Sequence, residues 1–131
     1  MTPGNALFRH LYAEFEEYAN VYDYVSGSEK ENRKYPFIYL QRPIDTDNSN
    51  SDLVGESQIT ASVYGLRMNS ELVDQVVTEI YNSTIRKFKA YGYNFVRLGF
   101  DNYVENDNTT VEPLINARVT LRFQYTKGAM S

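Results

Sequence analysis

Histidine, cysteine and paired carboxylates carry much of enzyme chemistry, and this chain offers few of them. His10 is the only histidine, and cysteine is absent. That excludes thiolate nucleophiles, disulfides and Cys-based zinc or iron–sulfur sites. It also excludes any mechanism that needs two imidazoles in one chain. A Ser-His-Asp arrangement requires a histidine beside its nucleophile. His10 instead falls within a helical pattern, between Arg9 and Leu11, and reads as a solvated helix-surface residue. Asp45, Asp47 and Asp52 sit in one polar stretch and invite comparison with a calcium loop. Such a loop needs a central glycine and a late glutamate at fixed offsets, and both are out of place here. Glu16 and Glu17, like Asp45 and Asp47, read as solvated charges. The glycines are dispersed, and Gly65-Leu66-Arg67-Met68-Asn69-Ser70 is no phosphate cradle. The reading is therefore of a protein that is not an enzyme, with no catalytic residue, metal ligand or cofactor.

The other group able to do recognition chemistry is a set of arginines. Arg118 and Arg122 are four residues apart in an alternating segment, so they share one strand face. Arg97 joins them if its strand pairs with theirs. The plain reading is a solvated sheet face. The functional reading is a row of donors at a subunit interface, complemented by Asp45, Asp47 and Asp52 of a neighbouring copy.

The elements that must position these residues follow from periodicity. Thr2 is suited to cap a helix and Pro3 to open it. Leu7, Phe8, Leu11, Tyr12, Phe15 and Tyr18 then continue at helical spacing, which predicts a helix over residues 3–19. Residues 21–25 and 35–42 read as strands, with 26–34 as a loop and Pro36 at a strand start or edge. Residues 43–57 are polar and turn-rich, and the expectation is a long mobile loop. Gln58 to Met68 reads as a third strand. Asn69 or Ser70 caps a second helix whose stripe runs Leu72, Val73, Val76, Val77, Ile80, Thr84 or Ile85, and Phe88. Arg86, Lys87 and Lys89 suit its last turn, and Gly92 its stop. Residues 95–103 read as a fourth strand, followed by a turn at 107–110. The fifth strand is the clearest. Ile115, Ala117, Val119, Leu121, Phe123 and Tyr125 alternate with Asn116, Arg118, Thr120, Arg122 and Gln124. The tail 127–131 reads as disordered.

This gives an α+β domain of order α-β-β-β-α-β-β, a mainly antiparallel sheet with two helices on one face. The 131 residues suit a single domain. No apolar run is long enough to span a membrane, and the first residues lack the form of a secretory signal. The net charge of -4, with dispersed Lys and Arg, argues against nucleic acid as the main partner. Twelve Tyr and seven Phe accompany no Trp. Two readings of that stay open: Tyr-rich protein interfaces, or a small core finished with Tyr at its boundary.

The segments VYDYV, YPFIYLQR, QITASVYG, VVTEIYNSTIRKF and the closing FDNYVENDNTTVEPLINARVTLRFQY, in this order after an N-terminal helix, resemble the tail-terminator and head–tail joining proteins of long-tailed bacteriophages, a group that includes lambda-type tail terminators and small minor tail proteins. The likeness spans most of residues 3–126 and contains no signature motif. It implies a tail-tube-like fold and a homo-oligomer, a hexameric ring, on the finished tail tube. The ring stops tube polymerisation and presents the surface that joins the head. Implied partners are the tail-tube protein and a head-completion or connector protein. DNA passes through the lumen without specific binding, and the place of the protein is the virion's head–tail junction. Two alternatives stay open: another neck or minor tail component, and a small α+β ligand-binding module or enzyme.

Overall fold

The computed structural model describes residues 1–23, 34–48 and 51–127. The elements run α1 (Pro3–Phe15), β1 (Asn20–Tyr22), β2 (Phe37–Leu40), β3 (Ile44–Asn48), β4 (Ser51–Leu66), a 3-10 turn (Arg67–Asn69), α2 (Ser70–Thr84), β5 (Phe88–Ala90), β6 (Tyr93–Asp107) and β7 (Leu114–Lys127). The protein is α+β. Among the described residues seven strands form one sheet, ordered β1-β2-β4-β7-β6-β5, with β3 also on β4. All pairs are antiparallel except β1 with β2. The element order thus contains two strands, β3 and β5, that the periodicity reading did not have.

β7 is the axis of the sheet, flanked along its length by β4 and β6. Its alternation is as the sequence implies. Ala117, Val119, Leu121, Phe123 and Tyr125 are buried and join one cluster with Leu7, Leu11 and Phe15 of α1 and Val73, Val76, Val77 and Ile80 of α2. A residue period of two on the strand and 3.6 on the helices brings these stripes together. Thr2 caps α1 as expected, its Oγ1 accepting from the Asn5 N–H at 3.2 Å. The opposite sheet face has a smaller aromatic cluster, in which Phe37 stacks on Tyr64 at 5.1 Å between ring centres.

Several expectations are corrected. Within the stretch expected as a loop, 43–57, residues 44–48 and 51–57 are strand, β3 pairing with the first part of β4 from Ile44↔Gln58 to Asn48↔Ser51, while 49–50 lie outside the described residues. β4 is drawn out to this length because β7 pairs with it from Leu66 back to Val54. Gly55 allows the sheet to close there, since a Cβ would run into the Tyr125 hydroxyl and the Thr46 carbonyl. α2 ends at Thr84 rather than near Phe88, and Phe88–Ala90 turns back as β5 against β6. Tyr91 and Gly92 link β5 to β6 with φ of 52° and 86°. Positive φ at both central residues is the two-residue turn that matches the twist of a hairpin. Gly92 is therefore a hairpin residue and not a helix stop. α1 ends at Phe15, before residue 19. Leu72, assigned to the buried stripe of α2, is exposed. Lys127 is in β7, while the rest of the expected tail, most of the 26–34 loop and the end of the 21–25 strand lie outside the described residues.

Candidate assembly surface

Arg118 and Arg122 project from β7 on the face away from the helices, as their spacing implies. Each reaches across to a neighbouring strand of its own chain. Arg118 Nη2 donates to Glu105 Oε1 at 3.1 Å, and Arg122 Nε lies 3.4 Å from Glu56 Oε1. Gly99 is opposite Arg122 in the register. Exposed pairs of this kind contribute little to stability, so their partners are exchangeable.

Arg97 is not part of that row. β6 does pair with β7, but Arg97 falls opposite Phe123, an inward position. Its guanidinium lies over the Tyr81 ring at 4.3 Å and donates to the Tyr81 carbonyl at 2.9 Å and to Thr84 Oγ1 at 3.0 Å. It therefore secures the C-terminal turn of α2, where orphan carbonyls and the negative helix end favour a cation. A bulge at Leu98, between Arg97 and Gly99, then reverses which residues of β6 face outward.

Asp45 is also occupied within its own chain. Its carboxylate accepts from the Gly4 N–H at 3.0 Å and from Ser57 Oγ at 2.5 Å. It sits at the positive end of α1 as a second, tertiary cap. Gly4 permits this approach, because any Cβ there would meet the carboxylate. Asp47 and Asp52 are backbone members of β3 and β4.

His10 is half-buried rather than solvated. Its ring stacks on Phe88 at 4.3 Å and 9°. Burial lowers its pKa, and Glu14 opposes the shift.

A feature the sequence reading missed is the edge of β6. β5 covers only Tyr93–Phe95, so among the described residues the outer side of β6 has no partner strand from Gly99 to Asn106. Tyr103 (63% exposed) and Val104 (50%) lie on this stretch. It lacks proline and lysine, and its charged residues are the acids Asp101 and Glu105. In the sequence this strand reads as 95–103 with Phe88 in a helix, so neither its length nor its short partner is visible there. Beside β5, a cleft of about 470 Å³ is lined by Lys87, Phe88, Lys89, Asn94, Val96 and Thr126. No helix among the described residues is long and apolar enough to cross a membrane. No known protein-family model matches the chain, and no curated protein sequence matches it.

Proposed function

We propose that this protein is a non-catalytic virion assembly protein of the tail-terminator type. In this reading it forms a homo-oligomeric ring, a hexamer, on the end of a phage tail tube. The ring stops polymerisation of the tail-tube protein and offers its other side to a head-completion or connector protein at the head–tail junction. DNA passes through without specific contacts, and the fold is tail-tube-like.

One observation carries the assembly part of the reading: the β6 edge from Gly99 to Asn106, which is long, unpaired among the described residues and carries exposed Tyr103 and Val104. An edge with these properties invites another strand. A ring uses heterologous contacts that close on themselves, so each copy must offer two different edges. The tail-terminator part rests on the segment order described above. Light scattering across a concentration series, with negative-stain images of the largest species, tests it. A sixfold ring is the expected species, and a strict monomer that also ignores tail tubes contradicts the proposal.

A further inference from the structure

The registers of the sheet contain a geometric relation between its two ends. One row of paired residues runs Tyr22–Tyr39–Ser62–Arg118–Tyr103 and crosses β1, β2, β4, β7 and β6. A lower row runs Asp47–Gly55–Tyr125–Phe95–Phe88 and crosses β3, β4, β7, β6 and β5. Both rows are five strands wide, and the lower is displaced by one strand toward β5. Where β5 protrudes at one end of the sheet, β3 is recessed at the other. Two copies set side by side in the same orientation would bring β5 of one to the step at β3 of the next.

Charge and polarity suit the same join. Phe88 stacks on His10 and Phe95 on the core side, so Lys87 and Lys89 project to the opposite face, where they line the cleft with Asn94 and Val96. The segment 86–89 holds Arg86, Lys87 and Lys89 with no acid, and on the face to which Lys87 and Lys89 project the neighbouring copy presents Glu56 of the Thr46–Glu56 row, while its Asp45 faces α1. β3 and β5 are each antiparallel to a strand of the central β4-β7-β6 set, and both run opposite to β6. Neighbours related by rotation about an axis along the strands would thus join β5 to β3 in parallel. Self-pairing of β6 is less suitable. Asp101 and Glu105 share its outward face, and a second β6 would set like charges side by side.

We infer that the lateral contact between copies is β5 of one chain, with Lys87 and Lys89, added as a strand to the β3 edge of the next. This rests on the ring reading and names the contact within it. Continued by one residue, the Phe88↔Phe95 register sets Lys87 beside Val96, which lies in the row of Thr46, Glu56 and Gln124. Adjacent strands are about 5 Å apart, within disulfide reach. The native chain has no cysteine, so the background is clean.

The test mixes Thr46→Cys protein with Lys87→Cys protein of distinguishable mass, under mild oxidation, alone and on purified tail tubes. Both positions are exposed, so neither substitution threatens the fold. The expected product is the mixed 46–87 disulfide, abolished by adding Lys89→Glu and Arg86→Glu to the Lys87→Cys chain. Only 46–46 or 87–87 products, or no mixed product in either setting, overturn the inference. A mixed product from protein that never engages tail tubes keeps this contact and sinks the terminator reading. Tube capping without the mixed product does the reverse.

Discussion

Asp45 gives the sharpest test of the hairpin that replaces the expected loop. In Asp45→Ala, α1 loses a carboxylate bound to the Gly4 N–H, and Ser57, fully buried, loses the acceptor of its hydroxyl. Loss of a helix cap costs about 0.5–2 kcal/mol, and a buried hydroxyl without its partner about 1–3 kcal/mol. Thr2 still caps the Asn5 N–H, so the first figure belongs near its lower end. Together the two predict a loss of about 2 kcal/mol. Urea denaturation reads this as a midpoint lower by about 1 M, given slopes of about 1–3 kcal/mol per molar for small proteins. Ser57→Ala in the Asp45→Ala background should add little, because it removes the orphaned hydroxyl. A double-mutant cycle should thus show a coupling of about 1 kcal/mol between the two sites. An unchanged midpoint for Asp45→Ala, or strictly additive effects, would refute the docking of β3 onto α1.

Other outcomes follow from the same geometry. Leu121→Ala, at a fully buried core position on β7, should cost about 2–5 kcal/mol in chemical denaturation. Arg118→Glu with Arg122→Glu places like charges beside Glu105 and Glu56 on exposed strands and should cost only about 1 kcal/mol, with the circular dichroism spectrum unchanged. Burial holds the His10 pKa below its ordinary 6.5, so the folded state disfavours the charged ring. Its contribution is complete above the ordinary value and declines as pH falls through 6.5 toward the lowered pKa. Melting curves from about pH 8 to about pH 5 should show that decline, and His10→Gln should remove its part of it. Gly92→Ala forces a left-handed φ on a side chain and should lower the melting temperature, at a cost of about 1 kcal/mol.

The parts of the fold with a strong period were legible. β7 alternates from Ala117 to Tyr125, and its inward residues there are in the core, while Asn116, expected on the polar face, is buried. Thr2 and Pro3 mark the start of α1 correctly. The misread parts are those where a weak local pattern competes with tertiary pairing. Ile80, Thr84 and Phe88 continue a helical spacing, yet β-formers on both sides of Tyr91-Gly92 favour a hairpin, and the hairpin prevails once β6 is available to pair with. The segment 44–57 looks like loop because its acids bury little, but β7 supplies a template that holds β4 extended, and β3 follows. Arg97 was placed on the wrong face because pairing of β6 with β7 does not by itself fix the register. Phe123 opposite Arg97 and the bulge after it do. Of the residues proposed for an interface, Arg118 and Arg122 emerge together on the outward face. Asp45 emerges in a capping role, which no local sequence pattern encodes because Gly4 and Asp45 meet only in the folded chain.

The measurement that bears most directly on the account is assembly of purified tail-tube protein in the presence of this chain, followed by electron microscopy of the tubes. The account predicts tubes that stop growing, each bearing a ring of additional density at one end. Tubes that lengthen as they do without the protein, with bare ends at saturating concentration, would contradict it.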